Sequence, residues 1–563
     1  MPATANSTKF HFLVAFGQLV SLLLGIISGA LVVTVGVAWW MGDSTEVLQG
    51  FLRTLGMTAG LSAAIFAVCR KVVGKQRLEP TARDAFASVG VGWLAVSAIT
   101  ALSFCWTLHI PWTDAFFETS SGLTTTGATI LGKAEYYERG DISQVVDIED
   151  VNSNFSEPGE VVLVSKCPEE GGMASSPVGR PASYGVLFWR AMLNWLGGVG
   201  IVFFVLLLLP MLRLGQSKLL YNAEVPGLKT TADQTTPHLA TSVVCVLMVY
   251  IGLTLAAGIC YRVTGMTTFD AVCHSFSTIS TGGFSPRVDG LAAYNHLPVL
   301  QWLVILFMFL SACNFSLHIQ RFSSLRRVYW RDEEFRVFFV VTLVAIGLVA
   351  LMLWAHGVSR EALFLGGVGA AACSLEEYLR VAAFQVVTVL STTGFCNGNW
   401  ESWGISCVLI VIALLMIPCG CGGSTAGGMK WSRIVVTCKQ LVLEVRRCIA
   451  PRMVQDVRLN NERLEGELVG KTLAFVLIYC AITFAVALLL SIIEPLANDV
   501  GTALGAALTS LSNVGPGFGA VNPAGNFAEF NAASKILLAV TMIVGRLELF
   551  TILVLLLPST WKR

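Results

Sequence analysis

The chain has 563 residues, 55% of them hydrophobic and 13% charged, with a mean hydropathy of +0.70. That much apolar surface cannot be hidden in a water-soluble core, so lipid is the solvent for most of the chain. A formal net charge of +1 offers no global attraction to nucleic acid.

The N-terminal MPATANSTKFHF leads into an apolar run from Phe12 to Trp40. It is too long for a signal-peptide core and has no clear cleavage site, so it reads as a retained first helix. In chain order, long apolar segments lie at 12–41, 51–70, 85–108, 184–211, 238–261, 298–319, 335–356, 403–418, 429–442, 470–493 and 534–558. A span needs about 20 apolar residues. The pieces at 403–418 and 429–442 are each marginal, and a Gly-rich stretch parts them. Counted as one interrupted span, they bring the total to ten. Shorter stretches at 112–123, 268–279, 380–390 and 501–511 cannot cross a bilayer and suit re-entrant helices.

Lys and Arg fix the orientation. They gather at Arg70, Lys71, Lys75, Arg77 and Arg83; at Arg213, Lys218 and Lys229; at Arg321, Arg326, Arg327, Arg331 and Arg336; at Lys439, Arg446, Arg447 and Arg452; and in the tail, Lys562-Arg563. With ten spans and both termini cytoplasmic, all of these fall inside, and all four short stretches fall outside. One outer connection, 132–182, carries ten acidic residues against four basic ones. It reads as a solvated, partly ordered insertion, or as a vestibule whose negative field concentrates cations.

Behind each short stretch stands a related pentapeptide: Leu123-Thr124-Thr125-Thr126-Gly127, Ile279-Ser280-Thr281-Gly282-Gly283, Leu390-Ser391-Thr392-Thr393-Gly394 and Leu511-Ser512-Asn513-Val514-Gly515. A long apolar segment follows each one. The expected fold is an all-α integral membrane protein of ten transmembrane helices and four re-entrant pore helices. Four helix–pore-loop–helix repeats surround one pore: two extra N-terminal helices (1–83), then repeats at 84–236, 237–331, 332–460 and 461–563.

Irregular backbone at membrane depth is tolerated only inside protein or against a watery cavity. Four such loops meeting on one axis would stack rings of carbonyl oxygens that replace the hydration shell of an alkali cation. Glycine lets the backbone turn a carbonyl inward. Thr and Ser hydroxyls satisfy the outer backbone or add ligands. Pore helices aim their C-terminal partial negative charge at the cavity.

The chain here resembles the TrkH/KtrB/HKT superfamily of potassium transporters, and most closely its TrkH family. The resemblance rests on Asp114–Thr129, Asp270–Ser285, Asn194–Gly200, Cys313–His318, Ser512–Gly519 and Gly545–Phe550, and it extends over nearly the whole chain except the acidic insertion. It implies K⁺ held at the four pentapeptides and carried as cargo without an organic cofactor. It also implies a homodimer in the bacterial plasma membrane, one pore per subunit, gated by a cytoplasmic ring of TrkA-like nucleotide-binding subunits. Glycine at all four ring positions resembles the potassium-selective members, whereas serine in the first repeat would suggest sodium.

The interrupted span reads Pro418-Cys-Gly-Cys-Gly-Gly-Ser-Thr-Ala-Gly-Gly-Met-Lys430. Gly420, Gly422, Gly423, Gly427 and Gly428 each cost a helix about 1 kcal/mol relative to Ala, so no helix holds there. The stretch is either a packing break or a mobile loop that closes the pore beneath the filter, matching the family's gating loop. Ser424 and Thr425 are placed to touch a passing ion. Arg546, in the last apolar run, reads either as half of a structural ion pair or as a positive charge in the pore that raises the barrier for cations. Glu548 lies two residues on and cannot face it on a helix. Lys430 and Arg433 read as inner-interface anchors or partner contacts. Glu118 and His274 occupy matching places in the first two pore helices and read as braces.

Other chemistry fits less well. Most of the cysteines, Cys69, Cys245, Cys260, Cys407 and Cys480 among them, lie in apolar runs and act as small hydrophobes. Cys419 and Cys421 lack a second pair or histidines at zinc spacing, so no metal centre is expected. Gly466-Glu-Leu-Val-Gly-Lys-Thr472 has three residues between its glycines where a phosphate-binding loop needs four, so an enzyme is not expected. The stronger rival is a broken-helix secondary transporter, a cation symporter coupled to H⁺ or Na⁺. Its repeats come as inverted halves rather than four of one orientation.

Overall fold

The computed structural model describes residues 5–73, 82–131, 183–211, 239–287, 289–323, 328–365, 373–451, 455–547 and 549. The acidic insertion, Glu548, the tail and several of the basic positions (Lys75, Arg77, Arg213, Lys218, Lys229, Arg326, Arg327 and Arg452) lie outside the described residues.

The architecture is helical. An N-terminal pair, α1 (Ala5–Met41) and α2 (Thr45–Val73), packs beside α3 (Ala82–Thr100) and α4 (Leu102–Leu108). Then come α5 (Trp112–Leu123), α6 (Tyr184–Met211), α7 (Leu239–Val263) and α8 (Thr268–Ile279). The middle of the chain forms α9 (Pro298–Ala312), α10 (Phe315–Ser323), α11 (Glu333–Ala355), α12 (Leu375–Leu390), α13 (Ser406–Leu415) and α14 (Trp431–Ile449). A short hairpin, β1 (Arg458–Leu459) and β2 (Glu462–Arg463), precedes α15 (Gly466–Ile493), α16 (Val500–Ser512) and α17 (Ala532–Arg546). Among the described residues six helices are long and apolar enough to cross a membrane, and a bent pair makes a seventh. Leu255, Ile259, Leu477 and Leu488 stand 62–71% exposed on these helices, as lipid-facing side chains do.

The four short stretches are helices α5, α8, α12 and α16. The first two run over 112–123 and 268–279, as expected. The third begins earlier than 380, at Leu375, because Ser374 and Glu377 form a reciprocal capping box that the low local hydropathy conceals. Thr267 and Asp499 cap α8 and α16 by accepting from Asp270 N and Thr502 N.

The segment expected as one span at 298–319 is broken. Helices α9 and α10 meet at 99°. Asn314 at the break accepts from Ser316 N at 2.9 Å, starting the second helix, and Phe315 N donates to the Gly423 carbonyl at 3.0 Å. The backbone groups freed by the bend are satisfied by the Gly-rich segment between α13 and α14.

Candidate functional site

Each of the four short helices α5, α8, α12 and α16 ends in a pentapeptide of the same backbone shape. The third residue has positive φ in every copy: 53° at Thr125, 56° at Thr281, 56° at Thr392 and 57° at Asn513. The fifth is positive again: 80° at Gly127, 73° at Gly283, 76° at Gly394 and 105° at Gly515. The residues between keep negative φ. The third and fifth residues thus lie in the left-handed φ region in all four copies. Non-glycine residues pay to sit there, and tertiary hydrogen bonds hold Thr281, Thr392 and Asn513.

The copies close into a ring. A Cβ added to Gly127 would meet the Gly282 carbonyl of the second repeat; one on Gly283, the Thr393 carbonyl of the third; one on Gly394, the Val514 carbonyl of the fourth. A Cβ on Gly515 would lie 2.7 Å from the Thr126 carbonyl of the first. The contacts run through the repeats in order and return to their start. All sixteen predicted filter positions (Thr124, Thr125, Thr126, Gly127; Ser280, Thr281, Gly282, Gly283; Ser391, Thr392, Thr393, Gly394; Ser512, Asn513, Val514, Gly515) therefore belong to one assembly. The Ser, Thr, Asn and Val positions are buried.

Hydroxyls brace the ring from behind. Thr124 Oγ1 lies 2.7 Å from Thr126 Oγ1, and Ser391 Oγ repeats this with Thr393 Oγ1 at 2.7 Å. Asn513 Nδ2 crosses from the fourth repeat to Thr126 Oγ1 at 2.9 Å and also donates to the Met542 carbonyl.

Further out, hydrogen bonds tie each repeat to the next. Arg190 on α6 is 1% exposed and donates through Nε to Glu118 at 2.7 Å. It also reaches Thr129 Oγ1 in its own repeat and the Ser285 carbonyl in the second, and its guanidinium lies 4.1 Å over the Phe284 ring. His274, the positional counterpart of Glu118, bonds the Asp270 carbonyl and Ser285 Oγ. Asn295 Nδ2 donates to the Asn397 carbonyl, Glu401 accepts from Gly519 N and Asn522 Nδ2, and Phe527 N donates to the Thr129 carbonyl, which completes the outer circuit. Asp499, at the start of α16, is held below the ordinary carboxylate value first by the Thr502 N–H.

Beneath the ring lies the segment Pro418–Lys430. Thr425 Oγ1 donates to the Ile279 carbonyl at 2.9 Å, where α8 ends, and Thr281 Oγ1 donates back to the Thr425 carbonyl at 2.9 Å. Gly427 N donates to Thr392 Oγ1 at 2.8 Å. At Gly427 an added Cβ would stand 2.7 Å from that of Asn513. Ser424 Oγ turns back to the Cys421 carbonyl. Gly420 lies against Ala426 and the Ala312 carbonyl, and Gly423 against Asn314. Gly428 packs on Cys419, while Gly422 N donates to Glu334 Oε1 at 2.8 Å.

Arg546 is buried and its Nη1 donates to the Thr425 carbonyl at 2.7 Å. No carboxylate pairs with it among the described residues. Its charge is thus fastened to the segment under the ring. Lys430 Nζ turns back to the carbonyls of Ala426 and Gly427, and the Arg433 guanidinium lies 3.8 Å over the Phe475 ring.

Sequence reasoning missed Arg190, Asn314, Glu334 and Glu401. Arg190 and Glu334 do carry a signal, since each is a charge within or beside an apolar run, a costly placement that calls for a partner. Nothing local marked Glu401.

The chain is similar to proteins of known type. The TrkH family model, described as cation transport protein, matches residues 170–562. The chain is 32% identical to the Trk system potassium uptake protein TrkH of Salmonella typhimurium, over 97% of this chain and 99% of that one. It is 28% identical to the Trk system potassium uptake protein TrkG of Escherichia coli, over 87% of each. The crystal structure of the potassium transporter TrkH from Vibrio parahaemolyticus superposes with a TM-score of 0.75 at 28% identity, covering 97% of this chain and 99% of that one.

Proposed function

Because the chain belongs to the TrkH family of cation transport proteins, we propose that it takes up potassium across a bacterial plasma membrane through the four-repeat ring. The observation that carries this reading is the cyclic glycine-to-carbonyl packing, 127 to 282, 283 to 393, 394 to 514 and 515 to 126. Four backbones touching in order around an axis make a coaxial ligand cage, and carbonyl rings suit a dehydrated alkali cation. The four pore helices end at that cage, and each contributes roughly half an elementary negative charge at its C-terminus. The relatives are named as potassium uptake proteins, which supports K⁺ as the cargo.

The full arrangement is ten spans and four pore helices with both termini cytoplasmic. The segment 418–430 is the gate: it touches the lower edge of the ring through Thr425 and Gly427 and is fastened by Arg546. A homodimer and a cytoplasmic TrkA-like nucleotide-binding subunit complete the system, in keeping with relatives named as parts of a Trk system. One ring closed by four repeats of a single orientation supports a pore over the inverted halves of a broken-helix symporter.

The test is expression in a bacterium lacking its potassium uptake systems, with growth and Rb⁺ influx measured at low K⁺. Wild type restores growth. Gly127→Ser retains influx and loses discrimination of K⁺ from Na⁺. Robust influx indifferent to Gly127→Ser would remove the filter assignment.

A further inference from the structure

The gate segment is held, within its first limb and just past its last residue, by one carboxylate that belongs to another helix. Glu334, in the first turn of α11, is 5% exposed. Its Oε1 accepts from Gly422 N at 2.8 Å, inside the segment, and from Ser432 N at 2.8 Å, just after it at the start of α14. A single oxygen thus pins the outgoing and returning limbs of the loop together. Both amides are buried backbone groups, and removing their shared acceptor would leave each unsatisfied, a costly state for a buried donor.

The two residues before Glu334 face a different element. Glu333 Oε2 accepts from the Asn460 N–H at 3.0 Å and from Lys439 Nζ at 2.7 Å. Asp332 Oδ2 accepts from Asn460 Nδ2 at 3.1 Å, and Asn460 Oδ1 accepts from Glu333 N at 2.7 Å. Asn460 is the turn of the β1–β2 hairpin, with φ of 51°. Lys439 Nζ also reaches the Arg458 carbonyl at the base of that hairpin, at 2.7 Å. Three consecutive acidic residues therefore hold the hairpin with two carboxylates and the gate with the third.

Resting on the reading of 418–430 as a gate, we propose that Glu334 is the latch that keeps the gate seated under the filter. The β1–β2 hairpin is the handle through which the cytoplasmic side reaches that latch. Force on the hairpin turns the first turn of α11, and the turn carries Glu334 away from Gly422 N and Ser432 N. Glu334 touches no ion; it is a positioning residue for the gate.

The test is Rb⁺ influx in cells lacking other potassium uptake systems and any TrkA-like subunit, normalised to the protein present in the membrane. Glu334→Ala raises this basal influx about tenfold, equivalent to about 1.4 kcal/mol on the closed state, with K⁺ over Na⁺ discrimination unchanged. Glu334→Gln keeps a carbonyl acceptor and stays near wild type. Asn460→Gly preserves the left-handed turn, removes its side-chain bonds and raises basal influx two- to threefold. Wild-type basal influx in Glu334→Ala overturns the latch, as does an equal rise in Glu334→Gln. If Glu334→Ala does not reach the membrane, Asn460→Gly decides: a rise supports the handle and wild-type influx overturns it. The pore reading fails separately, when Gly127→Ser leaves discrimination intact.

Discussion

Alanine at the ring glycines should damage ion discrimination in proportion to the crowding at each joint. At Gly127 an added Cβ would stand 2.5 Å from the Gly282 carbonyl oxygen, and at Gly515 it would stand 2.7 Å from that of Thr126. Real Cβ atoms do not approach closer than 3.0 Å, so the carbonyl must retreat by about half an ångström in the first case and about a third in the second. Both residues also have positive φ, which costs an L-residue roughly 1–2 kcal/mol. If the displaced carbonyl loses that much as a K⁺ ligand, discrimination falls about tenfold for Gly127→Ala, since 1.4 kcal/mol is a factor of ten. Gly515→Ala should lose less. Gly252, on α7, has nothing within 4 Å of an added Cβ, and Gly252→Ala should leave discrimination untouched and gain up to about 1 kcal/mol of helix stability. The assay is Rb⁺ influx competed by graded K⁺ and Na⁺. A Gly515→Ala variant as damaged as Gly127→Ala, or an affected Gly252→Ala, would refute the steric account.

Other outcomes follow from the same contacts. Arg190→Ala strands Glu118 in a buried site, and losing one partner of a buried pair costs about 3–5 kcal/mol; an unchanged melting temperature in detergent would contradict it. Arg546→Gln frees the Thr425 carbonyl and removes a buried charge, so basal Rb⁺ influx rises; influx at or below wild type would speak against a fastening role. Asp499→Ala removes the α16 cap at a cost of about 1 kcal/mol. The Asp499 carboxyl titrates lower in the folded protein than its ordinary value of 3.8, so its contribution is complete above that value and is lost as pH falls through the folded pKa. Thermal melts of wild type and Asp499→Ala should therefore converge in acid; a gap that persists below the folded pKa would show that the cap does not depend on ionisation.

The four short helices were legible because two periodic facts coincided: apolar stretches too short to span, and a hydroxyl-and-glycine pentapeptide behind each. The break in 298–319 was hidden because hydropathy averages over a window, and the strongly apolar 302–310 carried that average past Asn314, Ser316 and His318. Its short-range signal, an Asn accepting from the N–H two residues on, is common to many turns. The braces were hidden for a different reason. Arg190 meets Ser285, and Glu334 meets Gly422 and Ser432, across separations that only the folded chain closes.

The bend at Asn314 and the gap between α13 and α14 repair one another. Cys421 N donates to the Ala312 carbonyl and Phe315 N to that of Gly423. Either segment alone would present bare amides and carbonyls to hydrocarbon, which costs several kcal/mol for each group. During biogenesis, then, the second repeat cannot settle in the bilayer as a finished piece while the third is still being made. It must wait, sheltered by water or by the insertion machinery, until its counterpart emerges, and the two halves of this joint enter the lipid as one insertion unit.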